Sequence, residues 1–301
     1  MMNFNLSFSE FEALALRLEA SKDHRVIRRL QPHAEKMPPD GAVVRRGLFV
    51  DTETTGLDPA SDEIIELAMV PFTYGEDGSI YSVGEPFHAL REPSRPIPPE
   101  ITAITGITDE MVAGASINVR DVEVVVDAAA LIIAHNAAFD RRFLERFSSV
   151  FAAKPWACSM VEMDWRAEGY EGVKLSYLAS QAGFFYDCHR ATEDCLAGIE
   201  LLARPLDKGG RTALFHLLEK ARTSSWRIWA EAAPFEFKDR LKARGYRWNP
   251  GDGGTPRAWY IDRAKPDLEA ELNFLREEIY GGDVDPLVRR IDAFDRYSDR
   301  C

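Results

Sequence analysis

The sequence predicts an α/β fold: a mixed β-sheet flanked by helices, with a helical N-terminal extension and a small α/β C-terminal domain. Three observations lead there. Apolar strand candidates come first, at residues 48–51, 64–72 and 79–90. A compact apolar run, Leu131-Ile132-Ile133-Ala134, then alternates with segments of helical apolar spacing, which implies a sandwich built on one sheet. Proline and glycine breaks divide the 301 residues into three parts, 1–42, 43–206 and 207–301.

Residues 7–20 space Phe8, Phe11, Leu14 and Leu18 as a helix does, and Ser7 with Glu10 forms a capping box. A helical extension is expected to reach Glu35, broken by Pro38-Pro39-Asp40-Gly41. The strands at 64–72 and 79–90 are joined by a turn at Gly75, Asp77 and Gly78. A proline-rich loop at 93–99 precedes short helices at 99–104 and 108–113. Beyond the buried strand at 131–134, a helix is expected at 137–147 and a short strand at 156–159. Helices are expected at 160–165, 175–182 and 191–203. Arg204-Pro205 and Gly209-Gly210 make the clearest break. A long helix at 212–232 then leads to helix 235–244, strand 246–248, a turn at Gly251, Gly253 and Gly254, strand 258–262 and helix 266–279.

No apolar run approaches the roughly 18–20 residues that span a bilayer, and the N-terminus lacks the basic-then-apolar layout of a secretion signal. Cys158, Cys188, Cys195 and Cys301 show no paired spacing and read as reduced thiols of a cytoplasmic protein. Net charge is −12, carried by the first 206 residues (−13), while 207–301 is near neutral at +1. An acidic first domain is compatible with a polyanionic partner when some of its carboxylates hold cations, which reverse the local sign.

Asp51-Thr52-Glu53 follows the apolar strand. Side chains two apart on a strand share a face, so both carboxylates aim at one spot. Two adjacent hard oxygen anions repel unless a cation lies between them, and Mg²⁺ or Mn²⁺ suits them best. Asp140, where a strand end runs into a helix, serves equally well as a further ligand or as a helix-terminal acid. Asp194 lies on the apolar face of its helix, a costly place for a carboxylate without a partner or metal, and His189 precedes it by five residues.

Together these stretches resemble the DEDDh (DnaQ-like) family of 3′→5′ exonucleases, the group that contains the epsilon proofreading subunit of bacterial DNA polymerase III. The motifs are Phe49-Val50-Asp51-Thr52-Glu53-Thr54-Thr55-Gly56-Leu57, Ala134-His135-Asn136-Ala137-Ala138-Phe139-Asp140, and His189 with Asp194. The likeness covers about residues 48–203, and Arg190 stands where the family's tyrosine branch would have Tyr. The resemblance implies a ribonuclease H-like sheet and two Mg²⁺ or Mn²⁺ ions on Asp51, Glu53, Asp140 and Asp194. It implies His189 as general base and a nucleoside 5′-monophosphate product. Thr54, Thr55, Gly56, Leu57, Glu100, Thr105, Asn136 and Phe139 would then border the terminal nucleotide, although family members often carry His at the place of Thr105.

The expected partner is single-stranded DNA 3′ ends, in proofreading, repair or turnover, within a polymerase or repair complex or alone. An RNA-directed enzyme of the same superfamily is the alternative, and a non-catalytic nucleic-acid-binding protein the remoter one. Residues 237–265 carry a net charge of +5 with aromatics interleaved. That makes Lys238, Lys242, Arg247, Trp248 and Trp259 candidate nucleic-acid contacts, with core packing of the tryptophans as the competing reading.

Overall fold

The computed structural model describes residues 7–206, 209–251, 254–282 and 284–300. Cys301, Gly253 and the expected boundary at Asp207 lie outside the described residues. Helix α1 (Phe8–Glu19) starts at the expected capping box, in which the Ser7 hydroxyl accepts from the Glu10 amide and the Glu10 carboxylate accepts from the Ser7 amide. It ends at Glu19 rather than continuing toward Glu35. The Ser21 hydroxyl accepts from the Asp23 amide, a local turn that competes with the helix. The chain then forms a two-residue strand, β1 (Arg28–Arg29).

Strands β2 (Val44–Thr54) and β3 (Ile64–Gly75) pair antiparallel along nearly their whole length. The single strand expected at 79–90 is two, β4 (Ile80–Val83) and β5 (Phe87–Leu90), both antiparallel to β3. Gly84-Glu85-Pro86 separates them, and Pro86 has no N–H to give a ladder. Helices α2 (Pro99–Thr105), α3 (Asp109–Val112) and the unforeseen α4 (Val119–Asp127) follow. Strand β6 (Leu131–Ala134), helix α5 (Ala137–Phe147) and strand β7 (Trp156–Cys158) stand where expected. Residues 160–165 turn irregularly instead of forming a helix, because the buried Trp165 indole folds back to donate to the Ser159 carbonyl at 2.7 Å. Helix α6 (Leu175–Gln181), strand β8 (Phe184–Phe185), parallel to β1, and helix α7 (Ala191–Ala203) complete this part.

The main sheet has the order β4-β3-β2-β6-β7, with β5 also on β3; β2, β6 and β7 run parallel. Helices cover both faces. Phe49, Val70 and Ile133 pack with residues of α6 and α7 on one side, while Val50, Met69 and Ile132 pack with α4 and α5 on the other. This mixed sheet flanked by helices is the ribonuclease H-like arrangement that the family resemblance implied.

The helix expected at 212–232 is α8 (Ala213–Arg222) alone. The Thr223 hydroxyl donates to the Glu219 carbonyl at its end, and the chain becomes strand β9 (Ser225–Ala230). Its side chains alternate: Ile228 and Ala230 enter a small core, and Arg227 and Trp229 face the other way. Around it lie α9 (Lys238–Ala243), β10 (Arg247–Trp248), β11 (Trp259–Arg263), α10 (Leu268–Phe274) with a π-helical turn to Tyr280, and β12 (Val288–Ile291). The sheet order is β10-β11-β9-β12, all antiparallel. Residues 292–300 then return to the first sheet. The Trp156 amide donates to the Ala293 carbonyl at 2.7 Å, and the fully buried Arg141 of α5 donates to the carbonyls of Ala293, Phe294 and Arg296.

Candidate active site

Asp51 and Glu53 have the same parity as Phe49 on β2, so they face α7 at the end of the strand. Helix α7 lies close because of Gly198: a Cβ there would sit 2.2 Å from the buried Phe49 ring. That approach brings Asp194, one turn earlier on α7, over the two strand carboxylates. One oxygen each of Asp51, Glu53 and Asp194 lies within 4.8 Å of the others.

Asp194 is held from two sides. Its Oδ1 accepts from the Tyr186 hydroxyl at 2.8 Å and its Oδ2 from the Arg190 amide at 3.1 Å. His189 is half-buried just before the helix, close enough that its charge would favour ionised Asp194. Its φ is +63°, and Asn136, before α5, has a φ of +97°. Asn136 is the N-cap of α5 and His189 lies one residue before the extended N-cap Arg190 of α7, so a left-handed residue other than glycine stands at the entry to each helix, strain of the kind that collects at functional sites.

Asp140 comes from the opposite face of the sheet. It is buried, and its Oδ1 accepts from both the amide and the hydroxyl of Thr52, at 3.1 and 2.9 Å. It stands beside the cluster of three rather than in it. His135, of the same motif, is a pin. Its Nε2 donates to the Val173 carbonyl at 2.7 Å, Nδ1 meets the Ser159 hydroxyl at 2.9 Å, and burial pushes its pKa down to about 4. It is neutral at physiological pH and holds the loop before α6 against the end of β6.

These partners do not offset the cost of burying the acids. Burial first, and then repulsion from Asp194, Glu66 and Asp140, pushes Glu53 up to about 8. Burial pushes Asp140 to about 7 even against its hydrogen bonds to Thr52. Burial and the same neighbours raise Asp51 well above the carboxylate range, and burial raises Asp194. Hard oxygen donors gathered at this spacing, each costly to ionise alone, fit divalent cations.

Sequence reasoning missed Glu66. It pairs directly with Glu53 across the β2–β3 ladder and is 1% exposed. Its Oε1 accepts from His88 Nε2 at 2.7 Å and its Oε2 from the Ala191 amide at 3.2 Å, so it ties the start of α7 to the sheet. A lone acid in the apolar run Ile64-Ile65-Glu66-Leu67 was the available signal.

Of the expected nucleotide-contact residues, Leu57 projects at 82% exposure, Glu100 is exposed, and Thr55, Gly56, Asn136 and Phe139 are half-buried. Thr54 and Thr105 are buried, and their hydroxyls donate to the carbonyls of Gly56 and Ile101, so they shape their loops from within.

A family description for exonucleases (RNase T) matches residues 48–202, which run from within β2 into α7 and include every carboxylate of this site. The chain belongs to this exonuclease family. It is 34% identical to the DNA polymerase III subunit epsilon of Treponema pallidum over 163 residues, 50% of this chain and 72% of that protein. Exodeoxyribonuclease 10 of Escherichia coli is 33% identical over 170 residues, covering 55% of this chain and 70% of that protein. A PolC-type DNA polymerase III of Thermotoga petrophila is 38% identical over 135 residues, 43% of this chain, but the match spans only 8% of the polymerase. Among the described residues no helix is long and apolar enough to cross a membrane.

Proposed function

We propose that the protein is a two-metal-ion 3′→5′ exonuclease that removes nucleoside 5′-monophosphates from the 3′ end of DNA, with Mg²⁺ or Mn²⁺ as the metal. One observation carries this reading: Asp51, Glu53 and Asp194 converge within 4.8 Å, burdened by burial and mutual repulsion, inside the segment that matches the exonuclease family. Asp51, Glu53 and Asp194, with Asp140 beside them, would hold two divalent cations, which would supply Lewis-acid stabilisation of the phosphodiester during in-line displacement.

The chain's own groups do the rest. Tyr186 and the Arg190 amide orient Asp194, and Thr52 orients Asp140. Water attacks the terminal phosphorus and gives its proton to His189, a task suited to imidazole at neutral pH, while the bond to the 3′-oxygen breaks and that oxygen takes up a proton from solvent to leave a 3′-hydroxyl. Leu57, exposed beyond the strand end, lies against the terminal base, while Thr55, Gly56, Glu100, Asn136 and Phe139 border the nucleotide. Residues 43–206 form the nuclease unit, with 207–301 attached to it.

DNA is favoured because the epsilon subunit and exodeoxyribonuclease relatives carry it in their names. The epsilon relative, named as a polymerase subunit, supports work in proofreading or repair. The free thiols at Cys158, Cys188 and Cys195 suit a reducing, cytoplasmic setting. The test is digestion of 5′-labelled single-stranded DNA and matched RNA with Mn²⁺, Mg²⁺ or EDTA. A metal-dependent 3′→5′ ladder, stronger on DNA, is expected. A ladder mainly on RNA would move the substrate class, and no cleavage by folded protein would defeat the reading.

A further inference from the structure

The C-terminal unit exposes aromatic rings that its own core does not need. Phe235 is 77% exposed and Trp248 is 48% exposed, whereas the core of this unit is filled by Ile228, Leu241, Ile261, Leu272 and Leu275. Trp248 stands edge-on to the half-buried Trp259, with ring centroids 5.5 Å apart.

Two lysines accompany these rings. Lys238 Nζ lies 4.1 Å from the Phe235 ring centroid and Lys242 Nζ lies 5.7 Å from that of Trp259. They are four residues apart on α9 and so share one face, about one helical turn (~5.4 Å) from each other. The neighbouring arginines are spent on acids: Arg240 on Glu278, Arg244 and Arg263 on Glu271, Arg227 and Arg247 on Asp262. Lys238 and Lys242 have no carboxylate partner among the described residues.

We propose that this stripe, from Phe235 through Lys238 and Lys242 to Trp248, binds single-stranded nucleic acid. Bases stack on Phe235 and Trp248, and the lysine ammonium groups pair with phosphates. Ring faces offer area to any base, and cations with no carboxylate partner among the described residues, on a chain of net charge −12, select a polyanion, so the contact is tolerant of sequence. Arg247, whose charge is committed to Asp262, and Trp259, half-packed in the core, support the stripe rather than form it. The inference deepens the exonuclease reading by giving the same substrate a second anchorage, and it rests on that reading for the identity of the strand.

The experiment is fluorescence-anisotropy binding of labelled dT₂₀ and rU₂₀ to the full-length protein in EDTA, over a series of salt concentrations. Phe235→Ala and Trp248→Ala are each expected to weaken binding roughly 5- to 150-fold, as removal of one stacking platform does. The double variant Lys238→Gln/Lys242→Gln is expected to reduce the salt slope by roughly 1.4, about 0.7 for each phosphate no longer neutralised. Arg240→Gln, on the same helix but paired with Glu278, is expected to bind as wild type. Equal affinities for wild type, Phe235→Ala and Trp248→Ala would overturn the proposal. So would an Arg240→Gln loss as large as that of the lysine pair. Melting temperatures near wild type show that the variants fold, and the largely exposed Phe235 serves if Trp248→Ala does not. Comparing the dT and rU arms tells which sugar the stripe prefers. Metal-dependent cleavage by the wild type tests the exonuclease reading separately: cleavage with unchanged variant binding sinks only this inference.

Discussion

Two carboxylate sites in this molecule, one buried and one partly buried, are built on opposite plans. Glu271, in the C-terminal unit, is 2% exposed, yet it accepts from Arg244 and Tyr246 on one oxygen and from Arg263 on the other. Burial raises its pKa, and these hydrogen bonds more than cancel that, leaving it below the ordinary carboxylate range. At Asp51, Glu53, Asp140 and Asp194 burial is not cancelled: it raises all four pKa values, and neighbouring acids raise Asp51 and Glu53 further. The first plan completes itself from the chain and serves stability. The second leaves its charge to be balanced from outside, a liability in the isolated protein and the condition for holding cations over a phosphate.

The sharpest break of this comparison is Asp51→Asn. It is expected to lower metal-dependent nuclease turnover by several orders of magnitude while the metal-free protein melts at or above the wild-type temperature, because a repelled charge has been removed. A clear loss of melting temperature in EDTA would place Asp51 with Glu271 as a structural acid. Glu271→Gln reverses the pattern. Leaving two partly exposed arginines beside a neutral amide is expected to cost about 1–3 kcal/mol in denaturant unfolding of the C-terminal unit.

Gly198→Ala probes the approach of α7 that assembles the cluster. The added methyl must displace the buried Phe49 ring or the helix, for about 1–3 kcal/mol of stability, with a fall in turnover as Asp194 moves. Turnover and stability equal to wild type would show that α7 need not sit so close.

The comparison also breaks in the pH dependence. Glu53 at about 8 and Asp140 at about 7 bind protons more tightly folded than unfolded, so their contribution to stability is lost as pH rises from about 4 to 8. Glu271 has the opposite sign: its contribution is present above the ordinary carboxylate pKa and lost as pH falls. Melting of Glu53→Gln against wild type in EDTA is therefore expected to show a gap that widens with pH. A gap that narrows would contradict the uncompensated cluster.

What was legible in the sequence was local. Asp51 and Glu53 share a strand face by period alone, and the helices at 137–147 and 191–203 have the bounds that apolar spacing gives. Less legible were features whose partners are distant or are backbone. Glu66 shows its purpose only when β3 lies beside β2, and Arg141 binds carbonyls of residues about 150 positions away that any side chains could supply. Strand β9 lies within the helix expected at 212–232, and its Trp226, Trp229 and Ala230 have a spacing that a helical stripe also allows. Pairing with β11 and β12, which a single segment does not reveal, decides for the strand.

The central claim is that this acid cluster is completed by divalent cations, and calorimetric titration of Mn²⁺ into the metal-free protein at pH 8 tests it most directly. Wild type is expected to bind with release of protons, and Asp51→Asn to lose most of that binding. Equal Mn²⁺ binding by the two proteins, or none by the wild type, would contradict the account.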